Sequence, residues 1–164
     1  MVTPVPPEMR VLGPDEVALK PVEQDADQLP RSRVIRQGQP TATVVDGVVL
    51  EAAVQWHDFL LLFVTDDIPY EDMLRISLLD AQGRCLDHAV LGGMYSTGRF
   101  SLLQPREDSA LGFRFMGDTD WHLELCPGPR FRWPWFSEPR GVTRPFGFSR
   151  HFVIHGKPQP ASAT

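Results

Sequence analysis

From Thr41 to His155 the chain runs in short bursts rich in Val, Ile, Leu, Phe and Trp, punctuated by Gly, Asp and Pro. Phe113 and Phe115 flank Arg114, and Trp121, Leu123 and Leu125 flank His122 and Glu124; this period of two belongs to strands with one buried face. The bursts predict strands over Thr41–Val45, Val48–Trp56, Asp58–Thr65, Leu74–Leu79, Arg84–Leu91, Gly98–Gln104, Ala110–Met116, Trp121–Cys126 and Arg150–His155. Phe59 to Val64 is apolar without interruption, as befits a central strand buried on both faces.

The punctuation predicts how the strands connect. Asp46-Gly47 is a favoured pair for a two-residue hairpin turn, so Thr41–Val45 and Val48–Trp56 should form one hairpin. Asp80-Ala81-Gln82-Gly83 has the Asp and Gly that a type I turn with a bulge prefers. No segment carries a helical period over the 10–12 residues a helix needs. The expected fold is all-β: an antiparallel sandwich or closed barrel of about eight short strands, with meander-like hairpin connections.

The N-terminal segment is different in kind. Residues 1–40 hold seven prolines and no sustained periodicity, which predicts an extended Pro-rich segment with apolar anchors at Val11-Leu12 and Val34-Ile35, each able to pin it to the body as an edge strand. A single β domain over residues 41–156 and a frayed tail over 157–164 complete the expected organisation. The N-terminus lacks the basic and apolar regions of a signal peptide, and no apolar run approaches the roughly 18 residues of a spanning helix. A cytoplasmic protein without a membrane span is therefore expected. Fourteen Arg against two Lys suggest a GC-rich, bacterial coding sequence.

Charge changes the picture along the chain. The formal net charge is -5, which gives no footprint for nucleic acid. Residues 41–127 carry five basic and fourteen acidic groups, whereas residues 128–164 carry six basic and one acidic. Within that basic segment Arg130, Arg132, Arg140, Arg144 and Arg150 interleave with Phe131, Trp133, Trp135, Phe136, Phe146 and Phe148. Arginine and aromatic side chains supply forked donors and rigid contact area, the chemistry that binding hot spots favour. Pro129, Pro134, Pro139 and Pro145 should hold this stretch as an extended loop without repetitive hydrogen bonding. Arg130, Phe131, Arg132, Trp133, Trp135, Phe136, Arg140, Arg144, Phe146 and Phe148 are the candidate binding residues; the competing reading is a cover over the core, its arginines paired to the acidic body.

Other constellations are weaker. Asp66, Asp67, Glu71 and Asp72 cluster on one loop, with Asp118 and Asp120 on another; calcium takes such oxygens, but the spacing matches no calcium motif. His151 and His155 on a strand stand about 13 Å apart, too far to share a metal. If the strands pair, His122, Glu124, Arg114 and His151 or His155 meet on one polar face. There is no Gly-x-Ser-x-Gly turn and no Gly-rich phosphate loop, and Cys85 and Cys126 read as small hydrophobes. Neither a catalytic set, a metal site nor a cofactor is assigned. The expected function is a non-enzymatic protein–protein interaction module, adaptor- or immunity-like, that uses the Arg/aromatic loop at 128–150. Alternatives are a β-barrel holding a small apolar ligand and an enzyme acting through the His/Glu face.

Overall fold

In a computed structural model, residues 9–68, 73–92, 99–103, 109–116, 119–132, 138–145, 147 and 149–157 are described, and every structural statement below concerns them. Thirteen strands appear in chain order: β1 Arg10–Val11, β2 Val17–Pro21, β3 Arg31–Arg36, β4 Gln39–Asp46, β5 Val49–Trp56, β6 Phe59–Thr65, β7 Leu74–Leu79, β8 Cys85–Leu91, β9 Ser101–Leu102, β10 Ala110–Arg114, β11 Asp120–Phe131, β12 Val142–Thr143 and β13 Ser149–His155. They sort into three antiparallel sheets: a six-stranded one ordered β1-β5-β6-β7-β8-β12, a four-stranded one ordered β13-β11-β10-β9, and a three-stranded one ordered β2-β3-β4. The all-β expectation holds. The meander expected over residues 48–91 is the run from β5 to β8, with Trp56 facing Phe59 across the first hairpin.

The six-stranded sheet is central because both its faces are apolar. On one face Leu61, Phe63, Leu74, Ile76, Leu78, Ala89 and Leu91 meet Leu111, Phe113, Trp121, Leu123, Phe152 and Ile154 of the four-stranded sheet. On the other, Leu60, Leu62, Val64 and Leu79 meet Val17, Val34 and Val45 of the three-stranded sheet. β6 therefore buries alternate residues in opposite directions, which is why its sequence is continuously apolar. The first interior is aromatic: Phe63 lies 5.0 Å from Phe100 and 5.3 Å from Phe113, and Phe113 lies 6.5 Å from Trp121, centroid to centroid. Trp121 Nε1 donates to the Phe115 carbonyl at 3.0 Å, so burying the indole leaves no unpaired donor.

Three sequence expectations are corrected. The Asp46-Gly47 hairpin does not form, since β4 pairs with β3 and β5 with β6. Gly47 is instead where the chain leaves the three-stranded sheet for the central one. Its φ is 98°, its N–H donates to Pro30 O at 2.7 Å, and an added Cβ would lie 2.6 Å from Val64 Cγ1, so close approach rather than a tight turn requires glycine here. The hairpin that does form turns at Gln37-Gly38, both left-handed (φ 49° and 77°), with Arg36 opposite Gln39, the geometry of a two-residue turn matched to strand twist.

Second, of the two anchors, Val11-Leu12 pins the chain as an edge strand as expected, whereas Val34-Ile35 lies in a middle strand and not at an edge. Val11 lies in β1, Leu12 N donates to Ala53 O at 2.8 Å, and Val34 sits in the middle strand of the three-stranded sheet. Third, parts of the stretch after Cys126 are paired: Arg130 and Phe131 at the end of β11 pair with β13, β12 pairs with β8 through Val142–Leu91 and Thr143–Val90, and β13 starts at Ser149. The strand expected over Gly98–Gln104 is described only as Ser101–Leu102, its end residues lying outside the described set. The turn over Asp80–Gly83 forms as expected: Gly83 N donates to Asp80 O at 3.0 Å, and Asp80 Oδ1 accepts from the backbone of Gln82 and Arg84.

Candidate interaction surface

β11 begins beside β10 and ends beyond it. Its first half pairs with β10 from Asp120 to Glu124, while β13 follows it on the other side to Phe131, across an irregularity between Leu125 and Arg130. Pro127 and Pro129 fall inside that irregularity and carry no N–H for a ladder. Beyond it Arg130 stands opposite Arg150 and Phe131 opposite Ser149. Two guanidinium groups thus share one rung, an arrangement that costs roughly 0.2–1 kcal/mol unless something offsets it.

The two arginines are treated differently. Arg150 turns inward, with its side chain 5% exposed, and donates to Ser149 O and Pro145 O at 3.2 Å each. Arg130 stays outside at 60% exposure, with Glu124 at 3.8 Å. Phe131 is 66% exposed, more than the other exposed large hydrophobics Val11, Leu29 and Ile68. Arg132 follows, half-buried, and Arg140 lies exposed on the turn before β12. Arg144 is not on the surface: its side chain is 1% exposed, its guanidinium bonds the Asp87 carboxylate, and its Cζ lies 4.3 Å from the centre of the Phe152 ring. Trp133, Trp135, Phe136, Phe146 and Phe148 lie outside the described residues.

Asp87 is the residue that sequence reasoning missed. Besides Arg144 it accepts from the backbone N–H of His151 at 2.7 Å and of His88 at 2.8 Å, so one carboxylate ties β8 to β13 and to the segment leading into it. Glu138 adds a looser contact, 3.9 Å from Arg144 and 3.7 Å from Arg150. The sequence held a signal, because Asp87 occupies an inward position in the alternation continued by Ala89 and Leu91. A carboxylate at a core position calls for a buried partner.

The polar face expected on β11 and β13 is assembled in part. His122 pairs with His155, their ring centroids 6.1 Å apart, and His155 Nε2 lies 3.8 Å from Glu124. Arg114 pairs instead with Asp120, its register partner across the β10–β11 hairpin. In the acidic loop, Asp66 is buried against Arg75, which donates Nε and Nη2 to its two oxygens at 2.9 and 3.1 Å; that bond holds the guanidinium firmly protonated. Asp67 is exposed, and Glu71, Asp72 and Asp118 lie outside the described residues. Among the described residues no group of three or more His, Cys, Asp and Glu is arranged to hold a metal ion.

On the opposite face of β8, His88 Nδ1 sits 3.0 Å from Ser77 Oγ. Burial lowers the His88 pKa from its ordinary value, against the pull of the Asp46 charge. Burial likewise raises the thiol pKa of Cys85 and Cys126, which leaves both less reactive. No described helix is long and apolar enough to cross a membrane. Compared with known protein families, with curated proteins and with solved structures, the chain matches none.

Proposed function

We propose that the chain is a non-enzymatic protein–protein interaction module: a β-sandwich, layered further by the three-stranded sheet, that docks a partner through the strip Arg130-Phe131-Arg132. The observation that carries this reading is the exposure of Phe131 between two arginines, at the end of a strand whose next rung is fixed from inside by Arg150. An aromatic anchor framed by guanidinium groups on a rigid element is the composition of a binding hot spot. The inter-sheet space is filled by Phe63, Phe113, Trp121 and Phe152, all fully buried, which favours a surface site over a ligand held inside. Both cysteines are free thiols, in keeping with a reducing, cytosolic setting.

The test is affinity capture from host lysate with the native chain and with an Arg130→Ala/Phe131→Ala/Arg132→Ala variant of matched melting temperature. A protein recovered by the first and lost with the second is the expected result. Equal recovery by both would remove the strip from the reading, and the interaction surface would have to be sought elsewhere.

A further inference from the structure

The surface of the C-terminal segment has one sign of charge. Residues 128–164 contain six cations and a single carboxylate, Glu138. That carboxylate is 15% exposed and turned toward Arg144 and Arg150, the two cations that are themselves buried. Of its other cations, Lys157 follows β13 at the end of the ladder where His155 faces His122, whereas Arg130 and Arg132 stand two residues apart at the opposite end, with no acidic residue between them. Across the rung, Arg150 is solvated by two carbonyls, while the exposed Arg130 bonds Cys126 and lies 3.8 Å from Glu124, a carboxylate that also lies 3.8 Å from His155. In a chain of net charge -5, a patch of this kind is a local reversal of the molecule's field, and it selects partners by sign.

Resting on the interaction reading above, we propose that the strip takes an acidic peptide segment in which an apolar or aromatic side chain, flanked by Asp or Glu, covers Phe131 while the carboxylates engage Arg130 and Arg132. Carboxylates suit these positions because the guanidinium fork meets them with two parallel bonds. Recognition proceeds through side chains: Pro127 and Pro129 remove two backbone donors just before the strip, so strand addition along this stretch of β11 lacks its usual ladder.

The experiment is selection of a phage-displayed library of short random peptides on the full chain, followed by binding of the enriched peptides as synthetic probes across a salt series. Enriched sequences should pair Asp or Glu with an aromatic or aliphatic residue. Their association should slow about tenfold or more in an Arg130→Glu/Arg132→Glu variant or at high salt, and Phe131→Ala should speed dissociation. The salt series on the unaltered chain keeps the test valid if a variant misfolds. Peptides that require Phe131 but carry no acidic residue and ignore salt would overturn this inference and leave the interaction reading standing. Peptides indifferent to every substitution in the strip, or no enrichment, would overturn both.

Discussion

Two buried carboxylate–arginine pairs hold this molecule in different ways. Asp66, the residue after β6, and Arg75 on β7 are nine residues apart, and their bidentate bond reinforces a contact that the β6–β7 ladder already makes. Asp87 and Arg144 are 57 residues apart, and their bond joins the edge of the central sheet to the segment that leads into β13. The first carboxylate holds the Arg75 guanidinium through both oxygens; the second accepts from Arg144 and from the backbone of His151 and His88. Burying a charge pair yields little net stability, yet breaking one leaves an uncompensated ion, so the cost of a substitution depends on how many groups each carboxylate strands.

The sharpest break is Asp87→Ala, which strands Arg144 and the His151 N–H together. Urea denaturation should show a loss of about 4–5 kcal/mol, and hydrogen exchange should show lost protection at β12 and at the start of β13. Asp66→Ala strands the buried Arg75 and should cost about 3 kcal/mol, with the β12 amides unaffected. If Asp66→Ala proved the costlier, the ranking by stranded groups would be wrong. Replacing both partners refines the contrast. Asp66→Leu/Arg75→Met should lie within about 1 kcal/mol of the native chain, whereas Asp87→Leu/Arg144→Met should remain about 1–3 kcal/mol worse because the His151 N–H still lacks its acceptor.

The smallest effect expected is one of pH, next to Asp87 in sequence. His88 has a folded pKa below its ordinary 6.5, so the unfolded chain binds that proton more readily. Its contribution to stability is complete above about pH 6.5 and is lost as pH falls from there through the folded value. A stability profile between pH 7 and pH 5 should fall with acidity, and His88→Gln should flatten that fall. An unchanged slope would show that other groups carry it.

What could be read in advance followed from local rules. Continuous apolarity placed β6 at the centre, alternation gave β10 and β11 their faces, and Asp80 and Gly83 marked their turn. Misreadings arose where long-range packing decided between locally equivalent outcomes. Asp46-Gly47 suits a hairpin, but Pro30 O and the Val64 side chain converge on Gly47 and take the chain into another sheet. β2 and β3 were obscured by prolines at their margins, although Gly38 after Gln37 was a usable turn signal. Of the candidate surface, the sequence gathered the arginines and aromatics into one segment but could not sort them. Which arginine is buried depends on Asp87, a residue 57 positions before Arg144, and no local pattern carries that information.

The crossing at Gly47 also has a consequence during synthesis. The three-stranded sheet is complete once Asp46 has left the ribosome, but the face it packs against includes Leu60, Leu62, Val64 and Leu79, all made later. At ~5–20 residues per second, Val17, Val34 and Val45 wait on the order of two to six seconds for Leu79. Through that interval the nascent chain presents an apolar sheet with no partner, a hydrophobic surface of the sort that chaperones recognise at the exit tunnel.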